Sequence, residues 1–365
     1  MAEYKEIHGT KIRNYTTNPD NPIVGEVWYN DTSNALKFIA PNTTTAGSWS
    51  SGVSLNTARA YLGSTGIQTA ALAIGGTTAT PATVANVEVY NGSGWTETGD
   101  LNTARCMLGA SGTTTAALAF GGNTGSVPST TNTNINESFN GSNWTETTDM
   151  NTARRALIGC GTSTAALGFG GRNGGYSALT EQWNGSNWTE VSDLNTGRQE
   201  LSGTGDVTAA LAIGGQVPTG PGNSGATESW NGSAWTTLPA SLNKPRGTGN
   251  SSKVSALTAL FFGGDQPVPP GRTGETELYN GTSWAEQNDM SQIRRNLGGA
   301  GSGGTSALAF GGEVAPITAV TEHWTGAGAP IGAWATSGSL NTARKETTGV
   351  GIQTAALIIG GSSSP

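Results

Sequence analysis

Ionisable residues recur at fixed distances along this chain of 365 residues. An arginine precedes each of seven Gly-Gly pairs by 16 or 17 residues, and six repeats have a glutamate two residues before an aromatic residue. The arginines could form a basic ring for an anionic ligand, or each could pair with the glutamate of its own repeat. The identical spacing favours the structural pairing. The residues are Arg59, Arg105, Arg154, Arg198, Arg246, Arg294 and Arg344, with Glu88, Glu137, Glu181, Glu228, Glu277 and Glu322.

Residue types that usually carry catalysis are scarce. The chain has two histidines, His8 and His323, and no Ser-His-Asp or Cys-His arrangement or metal-ligand spacing stands out. Cys106 and Cys160 fall at non-equivalent positions of neighbouring repeats, which predicts small buried residues and no disulfide framework. We therefore expect no enzyme activity, no cofactor and no metal.

Composition points to short strands with many turns. Only 35% of the residues are hydrophobic and 12% are charged, while 56 are glycine and 11 are tryptophan. The net charge of -7 argues against nonspecific nucleic-acid binding, which needs a basic surface. The start, "MAEYKEIHGTKIRNY", has no apolar h-region, and no apolar run reaches membrane-spanning length. These patterns predict no secretory signal and no membrane insertion.

The elements that must position these residues follow from the repeat, whose period is about 47 residues. Between one arginine and the next we expect four strands, a to d. Strand b is the apolar run before Gly-Gly, strand c carries the glutamate, and an Asn-Gly turn leads to strand d. A tryptophan opens strand d, ten residues before the arginine or eleven in one repeat, and is expected to pack between units. These tryptophans are Trp49, Trp95, Trp144, Trp188, Trp235, Trp284 and Trp334.

Units of four antiparallel strands can close radially into a β-propeller. The first Trp-to-Arg phrase lacks preceding a and b strands, and the chain ends after strands a and b. We therefore expect an all-β, seven-bladed propeller. Its composite seventh blade would be closed by C-terminal strands and by N-terminal strands around 36–39 and Trp49.

The double glycine, the aromatic residue, the spaced tryptophan and the arginine in "GG...EVYNGSGW...LNTAR" resemble Kelch repeats. The resemblance covers roughly residues 35–361 and implies a Kelch-type propeller. Together with the repeat count, it predicts a seven-bladed propeller over 35–365 and a separate N-terminal attachment segment over 1–34. Some Kelch-like enzymes hold copper with two histidines and a cysteine-linked tyrosine, and the residues for that site are missing. The fold class alone does not decide function, since propellers serve both as binding modules and as enzymes.

Loops of variable length after each Gly-Gly lie on the same face as the arginine-bearing d-to-a connections. Loops on a rigid scaffold commonly carry recognition, so this face is the candidate binding surface, although lengths that drift without constraint would give the same pattern. The candidates are Arg172, Tyr176, Gln216, Asp265, Arg272 and Glu313.

The N-terminal stretch does not follow the repeat. "EVWYN" and "ALKF" form an apparent hairpin, and a "GxVWYN" phrase resembles N-terminal segments of tailed-phage structural proteins, especially of marine phages. The resemblance implies a non-enzymatic, multicopy virion protein that is assembled in the host cytoplasm. It would belong to a tail fibre, baseplate or capsid appendage and present its loops to a host-surface glycan or protein. Trp28 and Tyr29 would anchor the hairpin to other virion proteins, unless the hairpin only caps the propeller. The alternatives are a purely structural decoration or connector protein and, as a third, a bacterial sugar-active enzyme.

Overall fold

A computed structural model describes residues 47–326 except 80–81, 127–130, 219–221 and 268–269, together with short strands between 6 and 38 and between 348 and 359. The chain divides into two compact units. One contains 1–43 and 330–365, and the other contains 44–329. Every described element is a β-strand or a turn, and no described helix is long and apolar enough to cross a membrane.

The N-terminal part of the smaller unit forms two small sheets. The first pairs β1 (Glu6–Ile7) with β2 (Thr10–Lys11). In the second, β3 (Arg13–Tyr15) lies parallel to β4 (Val27–Asn30), and β4 lies antiparallel to β5 (Ala35–Phe38). The β4–β5 pair is the hairpin that the sequence predicts.

The larger unit is a β-propeller of six blades, each a sheet of four antiparallel strands. Strand β6 (Ser48–Gly52) belongs to the last of them. The first three blades, in the order a to d, are blade 1 with β7 (Gly63–Ile67), β8 (Ala70–Ile74), β9 (Val87–Tyr90) and β10 (Trp95–Glu97), blade 2 with β11 (Gly109–Gly112), β12 (Ala117–Phe120), β13 (Asn136–Phe139) and β14 (Trp144–Thr147), and blade 3 with β15 (Ile158–Gly161), β16 (Ala166–Phe169), β17 (Thr180–Trp183) and β18 (Trp188–Val191).

The other three blades continue the ring, and the b-to-c loop of blade 5 carries a small extra hairpin. They are blade 4 with β19 (Ser202–Gly205), β20 (Ala210–Ile213), β21 (Ala226–Trp230) and β22 (Trp235–Ser241), blade 5 with β23 (Asn250–Ser251), β24 (Ala259–Phe262), the hairpin β25 (Asp265–Pro267) and β26 (Pro270–Arg272), β27 (Thr276–Tyr279) and β28 (Trp284–Glu286), and blade 6 with β29 (Gly298–Gly303), β30 (Ser306–Phe310), β31 (Thr321–Thr325) and β6. The a strands of neighbouring blades contact one another around the centre.

The prediction of seven blades is wrong, because the N-terminal strand that closes the ring completes the sixth blade and not a seventh. Strand β6 pairs with β31, with Trp49 opposite Trp324, and so completes blade 6. The closing blade is composite, as expected, but it joins N-terminal β6 to three strands of 298–325. The C-terminal strands β32 (Thr348–Ile352) and β33 (Ala355–Ile359) pair with each other in a separate two-stranded sheet and add no blade to the ring.

The repeated residues have distinct structural causes. Gly75 and Gly76 have φ values of 59° and 106°, and a Cβ on Gly75 would lie 2.3 Å from the carbonyl oxygen of Arg105. Only glycine fits this turn, which follows strand b and lies against the backbone that leads into the next blade. In the c-to-d turn, Asn91 Oδ1 accepts the backbone N–H groups of Ser93 and Gly94 at 3.0 Å each. The turn therefore explains the repeated asparagine.

Blade-to-blade packing explains the repeated tryptophans. Trp95 packs against Phe310 of blade 6 with ring centroids 4.7 Å apart, and its Nε1 donates to Thr321 Oγ1 at 3.1 Å. Trp49 donates in the same way to Thr276 of blade 5. Strand b is buried between neighbouring blades, except for its first residue in blades 1 and 6, as its small apolar residues predict.

Candidate functional site

The mouth of the central channel is formed by one residue from each blade, two positions after the repeated arginine. All six adopt a left-handed backbone conformation with φ between 53° and 59°, which is uncommon for residues other than glycine. Each backbone N–H donates to the carbonyl oxygen of the equivalent residue one blade earlier, at 2.7–2.9 Å, so the six bonds form a closed cycle. We call this set the mouth ring: Tyr61, Met107, Ala156, Glu200, Thr248 and Asn296.

A cavity of about 80 Å³ lies inside the mouth ring. Its walls include the leucines that directly follow five of the ring residues, just before the a strands, and Asn250 and Ile158 also line it. A small cavity with apolar walls and a polar rim can hold water or a small part of a ligand.

A second set of residues surrounds the mouth. The residue after each repeated arginine makes an isolated β-bridge to the residue after Gly-Gly in its own blade. This pairing places four of the sequence-predicted candidates at equivalent positions of blades 3 to 6: Arg172, Gln216, Asp265 and Glu313.

Blade 3 presents two cationic side chains on this face. The Arg172 backbone forms isolated β-bridges with Arg155 and with Tyr176. Its guanidinium lies 5.6 Å from the centre of the Tyr176 ring. Arg155 Nη1 donates to Asn132 Oδ1 at 2.7 Å. Across the part of the chain that the structure describes, no carboxylate lies within ion-pair distance of either arginine. Burial and the neighbouring Arg172 charge lower the pKa of Arg155.

Blades 5 and 6 carry the opposite arrangement, in which charges are paired. Arg295 donates two hydrogen bonds of 3.0 Å to the Glu313 carboxylate and one of 2.5 Å to Asp265. Arg272 also donates to Glu313, at 2.9 Å. The hydrogen bond from Arg295 lowers the pKa of Glu313, and the bond to Glu313 raises that of Arg295. These charges pair with one another, so this cluster fixes the rim.

Glu200, in blade 4, is the acidic member of the mouth ring. It is half-buried, and among the described residues its carboxylate makes no hydrogen bond or ion pair. Burial and then the Asp265 charge raise its pKa to about 7, against the opposing effect of Arg295, Arg155 and Arg172. Beside it, Gln216 accepts a hydrogen bond from Gln199 Nε2 at 2.8 Å.

The structure thus brings Arg172 and Tyr176 together, joins Asp265, Arg272 and Glu313 through Arg295, and leaves Gln216 with Gln199. Sequence reasoning missed Arg155, Glu200 and Arg295. Their signal was positional, because they occupy the first and second positions after the repeated arginine, where the other repeats have unrelated residues.

The six repeated arginines that the structure describes lie in buried ion pairs. Each of the six described ones is buried and paired with the glutamate of its own blade, at 2.7–3.3 Å between nitrogen and oxygen. The same glutamates accept backbone N–H groups of the d-to-a connection, as Glu137 does from Asn102 at 2.7 Å. Burial lowers the pKa of these arginines, and the glutamates oppose that effect. The expected structural pairing is therefore present in every blade, and Arg344 lies outside the described residues.

The other sequence-predicted residues have structural surroundings where they are described. Five of the repeated tryptophans are buried, Trp49 is half-buried, and Trp334 lies outside the described residues. Trp28 and Tyr29 belong to β4, but their side chains lie outside the described part. Cys106 and Cys160 are free and buried. The described residues contain no group of three or more His, Cys, Asp or Glu that could hold a metal.

The fold and site define a β-propeller of six four-stranded blades with a charged face at one end of its channel. No protein-family model matches the chain, and no curated protein is significantly similar to it.

Proposed function

We propose that this protein is a non-enzymatic virion component of a tailed phage, with a Kelch-type propeller that presents its mouth face to the host surface. The phage-like "GxVWYN" phrase of the N-terminal segment supports the virion assignment. The division of the chain into two compact units supports an attachment role for that segment. Other virion proteins would hold Trp28 and Tyr29, and the ring would carry recognition.

The observation that carries the binding role is the pair Arg155 and Arg172 beside Tyr176. Among the described residues these two cations have no carboxylate within ion-pair distance, and such cations stand out on a protein whose net charge is -7. A guanidinium recognises a carboxylate through two parallel hydrogen bonds, and an adjacent tyrosine ring offers an apolar surface with a polar tip. A glycan that bears carboxylates fits this chemistry.

Binding to polygalacturonate and to its fully methyl-esterified form tests the proposal, because esterification removes the negative charge and keeps the same sugar chain. We expect the full chain to bind the acid form and not the ester. Arg155→Met with Arg172→Met should weaken binding at least about tenfold, since a hydrogen bond to a charged group contributes about 1.5–3 kcal/mol. Lys244→Met removes a charge from an exposed lysine that pairs with Glu275, and it should leave binding unchanged.

Equal binding of the two polymers, or unchanged binding by the double variant, would overturn the recognition role. A map of an intact particle with the mouth face covered by another virion protein would favour the connector alternative. Release of reducing ends from either polymer would instead indicate a sugar-active enzyme.

A further inference from the structure

Lys253 occupies a position that the repeat otherwise reserves for glycine. Seven residues after the repeated arginine, the other repeats have Gly66, Gly112, Gly161, Gly205, Gly301 and Gly351. In blade 5 the same position is a lysine with only 6% of its surface exposed. The preceding strand β23 has two residues, whereas the a strands of the other blades have four to six. The channel side of blade 5 is therefore built around this side chain.

The Lys253 side chain points back to the centre of the ring. Its Nζ donates to Asn250 Oδ1 at 2.6 Å, and Asn250 also lines the mouth cavity. The side-chain Nδ2 of Asn250 donates to Leu297 O at 2.8 Å and to Ser64 Oγ at 3.4 Å. The ammonium is thus separated from the cavity by the Asn250 side chain.

This centre has more hydrogen-bond donors than acceptors. An ammonium has three N–H donors, and the described residues accept one of them. Ser64 Oγ accepts Gly299 N at 3.0 Å as well as the Asn250 amide, and its own hydroxyl hydrogen has no acceptor among the described residues. No described carboxylate lies within ion-pair distance of Nζ.

Among the described titratable groups, only the Cys160 thiol lies near enough to affect Lys253, and it could do so only as a thiolate. Burial raises the pKa of this thiol to about 12, so it stays neutral and is a weak acceptor. Burial also lowers the pKa of Lys253 to about 7. A buried cation without a counter-charge either loses its proton or binds an anion.

We propose that the centre of the propeller is a binding site for a small monovalent anion of the size of chloride, held by Lys253 Nζ with help from the Ser64 hydroxyl. A halide ion accepts several N–H and O–H hydrogen bonds at once, and the Lys253 ammonium and the Ser64 hydroxyl lack such an acceptor. It also supplies the missing negative charge.

Two measurements on the full chain test this site. Crystals grown or soaked in sodium bromide should show an anomalous bromide peak at hydrogen-bond distance from Lys253 Nζ. In solution, Tm should rise when chloride replaces gluconate at constant ionic strength. Above the dissociation constant the rise should be about 2–4 °C for each tenfold increase in chloride, and larger at pH 6 than at pH 9.

The variant Lys253→Gly restores the residue of the other repeats and should abolish the chloride dependence of Tm. Lys244→Met, at a lysine that is 46% exposed, should retain it. If Lys253→Gly fails to fold, the bromide position in the wild-type crystal still decides. A bromide map without a peak at Nζ, or the same chloride dependence in wild type and Lys253→Gly, would overturn the proposal.

Discussion

Glu200 is the residue whose protonation most directly couples the mouth ring to pH. Its pKa is raised from 4.5 to about 7 by burial and by the nearby Asp265 charge. Between these two pH values the folded protein keeps a proton that the unfolded chain has released. The free energy of unfolding therefore falls as pH rises from 4.5 to 7, and the loss remains at higher pH.

Glu200→Gln removes this effect, because glutamine keeps the shape and carries no charge. We expect the variant to be more stable than wild type at pH 8 by up to about 3 kcal/mol, and equally stable at pH 4. Urea unfolding followed by tryptophan fluorescence at both pH values measures the difference. Glu190→Gln, at an exposed carboxylate, is the control and should change stability little at either pH. A Glu200→Gln variant with the same stability as wild type at pH 8 would show that the carboxyl is solvated.

At the same scale, sequence reasoning identified the repeated residues better than the unique ones. The pairing of Arg105 with Glu137 was predictable, because a spacing kept in every repeat has a common structural cause. Arg155 and Glu200 were not recognisable as site residues, because each occurs once and only the ring brings blades 3 and 4 together at the mouth. The variable-loop argument selected Arg172 and Tyr176 but gave no means to separate them from the paired Asp265 and Glu313.

At the scale of the element, the strand that closes the ring was ambiguous in the sequence. Residues 334–361 repeat 49–76 with identity at 17 of 28 positions. The two hairpins within these segments also share their register, since Thr348 pairs with Ile359 as Gly63 pairs with Ile74. Two segments thus fit the same position beside β31, and a repeat count alone cannot choose between them.

The closing role of β6 predicts that its tryptophan contributes more to stability than the equivalent one near the C-terminus. Trp49 packs on Phe262 and Trp324 with ring centroids 5.0 and 5.5 Å away. Trp49→Ala should lower the free energy of unfolding by about 3 kcal/mol, at the low end for tryptophan because the side chain is half-buried. Trp334→Ala is the matched control and should cost less. Thermal unfolding of both variants measures the comparison, and a larger loss in Trp334→Ala would contradict closure by β6.

For the whole molecule, closure of the ring depends on contact between the first and the last blade, and no local sequence pattern signals that contact. The repeated tryptophan, arginine, glutamate and Gly-Gly define a blade, and they predicted four antiparallel strands in the right order. The number of blades depends instead on how many units bring the first and last into contact. Here the Tyr61 N–H donates to the Asn296 carbonyl oxygen at 2.9 Å, so blade 6 adjoins blade 1 directly.

This closure predicts that residues 44–329 fold without the rest of the chain, since all strands of the six blades lie within that range. A protein limited to these residues should be monomeric and unfold cooperatively. Its Tm should lie within a few degrees of that of the ring in the full chain, because no described strand of the ring is removed. Circular dichroism during heating and light scattering give both quantities.

Removal of β6 as well, in a protein of residues 54–329, should lower Tm sharply, because blade 6 then lacks its outer strand and Thr276 loses its tryptophan partner. If the 44–329 protein is unfolded or aggregated while the full chain is stable, the C-terminal residues take part in closing the ring, and the six-bladed closure is wrong.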